Sequence, residues 1–220
     1  MKLLLKLAAF LPFLILSQRV FAATFEVKEV PRSEMESFFT IKISGEVTPG
    51  FAAQLDSEFS KIDPAKEVLL HLNSPGGLVD EGLEAIQIIK QQKEKGRVVE
   101  TTVENGDKCG SICVPIYVQG KNRYAGEVAA FMFHGARPWH SNIPNKRKTE
   151  ELLNKFVEAG VSEAWLKKLF GLGVFSEPGE YWVSGKELSA ERSNVVTELI
   201  PKHVKFKPQR LPIDPNMGPR

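Results

Sequence analysis

The chain has 220 residues, 29 Lys and Arg against 27 Asp and Glu, a net charge of +2 and only two cysteines. That length suits one domain with a substantial core. The near-balance of charge excludes a protein held to nucleic acid by bulk electrostatics, and no nucleic-acid partner is expected. The N-terminus accounts for the small positive excess. Lys2 and Lys6 precede an apolar run over 7–16 broken by Pro12, and Val20-Phe21-Ala22 places small residues near a cleavage point. This is the layout of a signal peptide over residues 1–22, with an apolar run too short to span a bilayer. An uncleaved anchor is the alternative reading of the same run. Removing residues 1–22 takes away Lys2, Lys6 and Arg19 but no acid, leaving 26 basic against 27 acidic residues and a net charge of −1. No later run is apolar enough to cross a membrane, so no membrane partner is expected after signal removal. The expected location is exported, periplasmic or secreted, in an oxidising compartment that allows a disulfide.

Residues 38–44 (FFTIKIS) read as a strand, and Thr48-Pro49-Gly50 leads into a helix with Phe51, Leu55, Phe59 and Ile62 on one face. Residues 67–72 (EVLLHL) form a short apolar strand of the kind buried in a parallel sheet. The glycine turn Ser74-Pro75-Gly76-Gly77 precedes a second helix, with Leu83, Ile86 and Ile89 inward, ending at Gly96. Residues 97–103 make a third strand. A short apolar helix follows Ser111 and stops at Gly120, and residues 128–133 (VAAFMF) make another strand ending on His134. Strands alternating with helices imply an α/β single domain, mainly parallel, with right-handed crossovers. Residues 135–148 read as a polar loop. Helices over 149–159 and 162–170 follow, then a glycine-rich loop over 171–179, a helix over 184–190 and a last strand over 194–200. The domain is expected to run over 23–203, with a Pro- and Lys/Arg-rich tail over 204–220 that is weakly docked or disordered.

Two stretches carry chemistry. In Cys109-Gly110-Ser111-Ile112-Cys113 a serine is framed by cysteines at the start of a helix. A serine hydroxyl is a poor nucleophile at neutral pH unless a base takes its proton, and histidine is the usual base. Ser111 is equally suited to capping the helix. Pro75-Gly76-Gly77 gives bare backbone ahead of a helix N-terminus, where free N–H groups suit a developing oxyanion; a plain tight turn is the alternative. His134 ends an apolar strand, with His140, His71 and His203 as rivals for the base.

These stretches resemble the proteolytic subunit of Clp protease, within the Clp/crotonase-like fold. IKISGEVTPGFAAQL, EVLLHLNSPGG, CGSICVPIYVQGKNRY, VAAFMFHGA and EYWVSGKEL are similar to successive family segments along most of the chain after residue 22. Among exported relatives, a cysteine-flanked serine with a strand ending Phe-His is similar to a group of periplasmic proteins. The resemblance implies Ser111 as nucleophile and His134 as general base. It implies an oxyanion hole from the N–H groups of Gly77 and Ile112. Gly76, Leu78 and Val79 would bind substrate, the last two by pairing with an extended peptide as an added strand. The family's acid is an aspartate, whereas the matching position holds Glu180; Glu177 is the fallback.

The expectation is therefore an exported serine peptidase cleaving peptide bonds through an acyl-enzyme, with a peptide or protein as substrate. It needs no cofactor and no metal, is compatible with a homo-oligomer, and has no ATP-driven partner outside the cytosol. Two alternatives share the fold: a non-catalytic peptide-binding module, and a Ser–Lys peptidase using Lys148 or a neighbour in the 146–148 cluster. An acyl-CoA enzyme of the crotonase branch fits least, having no use for the serine and histidine. Cys109 and Cys113 are a disulfide candidate. Four-residue spacing is poor within a helix, but Cys109 in a preceding loop can adjust; two buried free thiols are the alternative.

Overall fold

The computed structural model describes residues 22–33, 36–138, 141 and 143–200. All of the expected signal peptide but its last residue, together with Trp139, His140, His203 and the C-terminal tail, lies outside the described residues. Among those described, no helix is long and apolar enough to cross a membrane.

A six-stranded sheet forms the frame, in the order β1 (Thr24–Pro31), β2 (Ser37–Ser44), β3 (Val68–Asn73), β4 (Val99–Val103), β6 (Arg123–Gly126) and β9 (Glu198–Ile200). All neighbours are parallel except β1 and β2. Helices α1 (Phe51–Ser60) and α2 (Val79–Glu94) cross over between the parallel strands. Alternation sets the faces of each strand. In β3, Leu70 and Leu72 enter the main core with Ile41 and Ile43 of β2, while Leu69 joins a smaller cluster with Phe38, Tyr124 and Ile200.

A second, three-stranded sheet stands beside the first. It orders β5 (Lys108–Gly110), β7 (Ala130–Phe133) and β8 (Tyr181–Ser184), with β7 and β8 antiparallel. The strand read at 128–133 therefore belongs to this smaller sheet. The 135–148 loop is shorter than expected, because Asn145 caps α4 (Lys146–Glu158) by accepting from the Lys148 N–H at 3.0 Å. Helix α5 (Glu163–Gly171) follows Ser162, and α6 (Gly185–Ala190) opens with a capping box between Ser184 and Glu187. The last strand is only three residues long, since 194–197 approach it as loop.

Four strands escaped the sequence reading. In β1, Phe25 and Val27 do alternate with Glu26 and Lys28, a signal that was present. β5, β6 and β8 are three or four residues long, too short to show a period. They are held by register with neighbours distant in sequence.

Candidate active site

Ser111 stands just beyond β5 with φ of 53°, a left-handed conformation uncommon in residues other than glycine. Such a turn costs on the order of 1–3 kcal/mol unless its surroundings hold it. Three contacts do so here. The Ser111 N–H donates to the Met132 carbonyl at 2.8 Å. The Gly110 N–H donates to the Ser74 carbonyl at 2.9 Å, and Ser74 N–H returns to the Lys108 carbonyl at 2.8 Å. A disulfide joins Cys109 and Cys113 across the turn. Cys109 lies in β5 rather than in a loop, so the bridge spans from strand to helix, with Cα atoms 5.3 Å apart. Helix α3 (Cys113–Tyr117) begins two residues after Ser111, and no side chain caps it.

The glycine turn is stacked on this serine. A Cβ placed on Gly76 would come 2.6 Å from Ser111 Cβ and 2.7 Å from the Gly110 carbonyl. A Cβ on Gly77 would meet the Val47 carbonyl at 2.2 Å. Both positions have positive φ, 103° and 146°, so glycine is required for space and for conformation. Gly76 thus supports the serine turn and is not among the residues lining the cleft. Its N–H donates to Ser74 Oγ at 3.2 Å and its carbonyl accepts from Val47 N–H at 2.8 Å.

The N–H groups of Gly77 and Ile112 donate to no acceptor among the described residues. They flank Ser111 from the two stacked turns, as required of a pair of oxyanion donors. Leu78 and Val79 do line the cleft, but not as a free strand edge. The Leu78 N–H donates to the Val47 carbonyl at 2.8 Å, its carbonyl accepts from Gly82 N–H at 3.1 Å, and Val79 opens α2. The backbone of Leu78 is therefore engaged within the fold, while both residues present side chains to the cleft.

Ser111 and His134 come together because Gly110 pairs with Met132 in parallel register, placing the ends of β5 and β7 side by side. The two side chains share no hydrogen bond but line the same cleft of about 600 Å³, with Gly77, Leu78, Arg137, Lys148 and Glu180. A second, smaller cavity touches both residues and is walled by Pro115, Phe133, Leu152, Phe156 and Phe175.

His134 Nδ1 lies 2.6 Å from the Gly135 carbonyl. A carbonyl only accepts, so Nδ1 carries the proton and Nε2 keeps the lone pair that a general base needs. Burial holds the His134 pKa below the ordinary imidazole value of 6.5. The Gly135 carbonyl works upward, Arg137 downward and Glu180 upward, in that order of size. Glu180 is near enough to be felt by His134 but is not hydrogen-bonded to it. Its carboxylate accepts from Trp182 Nε1 at 3.0 Å and lies 3.5 Å from Arg137 Nη2, half exposed. Glu177 is exposed and lies outside the cleft lining.

The rival bases fare differently. His71 is buried on β3 against Asp107, away from the cleft lining. Lys148 reaches the cleft, but its ammonium sits 2.5 Å from Asp80 Oδ1 and 3.3 Å from Glu151 Oε2. The hydrogen bond to Asp80 is the main influence raising its pKa. A lysine base needs the opposite shift.

An α/β frame with a strained serine turn, a strand-end histidine on the same cleft and two unspent amides flanking the serine is the arrangement expected of a serine peptidase of the Clp type. The Clp protease family model matches residues 28–149, more than half of the chain. The chain belongs to the Clp protease family. Among solved structures, an asparagine-to-aspartate variant of ClpP1 from Listeria monocytogenes is similar, with a TM-score of 0.55 and 20% identity over 74% of this chain and 92% of that one. At that identity the likeness speaks for the fold. No curated protein matched the sequence.

Proposed function

We propose that this protein is an exported serine endopeptidase acting through an acyl-enzyme, with Ser111 as nucleophile and His134 as base. His134 Nε2 takes the Ser111 proton as Oγ attacks the scissile carbonyl, and the N–H groups of Gly77 and Ile112 stabilise the oxyanion. The protonated imidazole then gives its proton to the leaving amine, and water repeats the sequence to release the acid. The Gly135 carbonyl fixes the tautomer, and Glu180 favours the imidazolium through its field.

The observation that carries this reading is the pair of unspent amides on either side of a serine held at positive φ. Export is supported by the charged and apolar character of residues 1–22 and is in keeping with the paired cysteines. A fluorophosphonate probe tests the chemistry. Ser111 is expected to be labelled in the folded protein and unlabelled in S111A or after unfolding. Folded protein that leaves the probe unreacted, yet binds peptides equally well as S111A, would make the chain a binding module.

A further inference from the structure

On the face of the main sheet turned away from Leu70 and Leu72, His71 meets two carboxylates that lie 33 and 36 residues further along the sequence. His71 of β3 is only 7% exposed. Glu104 and Asp107 stand at the ends of a tight turn after β4, closed by the Asp107 N–H on the Glu104 carbonyl at 3.0 Å and by Gly106 at φ 92°. The turn aims both carboxylates at one imidazole. Asp107 Oδ2 is 2.6 Å from His71 Nε2, and Glu104 Oε1 is 3.9 Å from Nδ1. One ligand atom from each residue lies within 4.8 Å of the others.

A separate observation comes from the next strand. Thr102 is paired with His71 in register and is wholly buried, yet its Oγ1 has no hydrogen-bond partner. An unpaired buried hydroxyl is costly, and this one lies on the His71 side of the sheet. Lys42 of β2 is also paired with His71 and shares its face, on the flank opposite Thr102, where it neighbours Glu26 of β1.

We propose that His71, Glu104 and Asp107 form a binding site for a divalent transition-metal ion, with zinc the best match. One imidazole nitrogen and two carboxylate oxygens suit zinc, leaving a fourth position for water that the Thr102 hydroxyl can hold. The two carboxylates balance the charge of the ion. The turn that carries Glu104 and Asp107 runs directly into β5, and the ion would stiffen the approach to Ser111 without taking part in the chemistry. This proposal stands independently of the peptidase reading.

Calorimetric titration of the tag-free protein with zinc chloride, checked by competition with a chromogenic chelator, tests it. One equivalent is expected to bind, with a rise in the unfolding temperature. Asp107→Asn and His71→Gln are each expected to weaken binding by about tenfold or more. Glu104→Gln, at a half-exposed position that leaves packing untouched, should do likewise while circular dichroism stays unchanged. Folded wild-type protein that takes up no zinc overturns the proposal. So does binding that all three variants retain at wild-type strength.

Discussion

The backbone of Gly76 is in contact with Ser111 so closely that a single methyl group on the glycine would lie 2.6 Å from the serine Cβ. The nucleophile is positioned by the glycine turn as much as by its own strand. Gly76→Ala is therefore expected to push the Ser111 turn out of line and to lower fluorophosphonate labelling by roughly 100-fold, the scale of a 1 Å misplacement. Gly96→Ala is the control: it shares a positive φ of 89° but has open space around it. It should cost some stability and leave labelling unchanged.

The Glu180 carboxylate is held by Trp182 and Arg137, and the Gly135 carbonyl meets His134 Nδ1. Glu180→Gln is accordingly expected to reduce the acylation rate by about tenfold or less, the worth of a half-exposed charge. A buried acid bonded directly to the base would be worth about 10⁴-fold. Stopped-flow acylation with a chromogenic ester distinguishes the two.

The pH profile follows from the neighbours of His134. The base works when neutral, and burial lowers its pKa, so kcat/KM should stay on its plateau to a pH below the ordinary imidazole value of 6.5. Arg137 lowers that pKa and Glu180 raises it. Removing the cation in Arg137→Gln should shift the acid limb toward higher pH, and Glu180→Gln should shift it lower. Opposite movements in the two variants are the result to look for; an unmoved limb in both would mean that another group sets it.

The disulfide closes a short loop around Ser111. In the chain-entropy description a loop of this size is worth about 2 kcal/mol, or about 4–8 °C in a domain of this length. Cys109→Ala with Cys113→Ala should lower the unfolding temperature by that amount. Labelling of Ser111 should fall more steeply than stability, since the bridge spans the strained residue itself. Reduction of the wild type under mildly denaturing conditions should reproduce the effect.

Much of the site could be read from the sequence because its elements are local. Cys109 to Cys113 and Ser74 to Gly77 are contiguous signatures, and His134 ends a plain apolar strand. What escaped depends on register. Nothing local distinguishes Lys108–Gly110 as a strand, yet its pairing with Met132 delivers the serine to the histidine. The Leu78 N–H looked free for a substrate until the fold placed the Val47 carbonyl against it. Glu180 was matched by position, but its partners follow from β8 pairing antiparallel with β7 and from the loop carrying Arg137. The His71, Glu104 and Asp107 cluster is invisible in sequence because β3 and β4 bring it together.

Ser74 and Cys109 are bridged, so the Gly77 and Ile112 amides become neighbours only once two segments 35 residues apart have docked. A chain in which that seam has not closed carries the hydroxyl and the imidazole but no cradle for negative charge. Hydrolytic power therefore requires that seam to be closed, and a copy in which it is open lacks it.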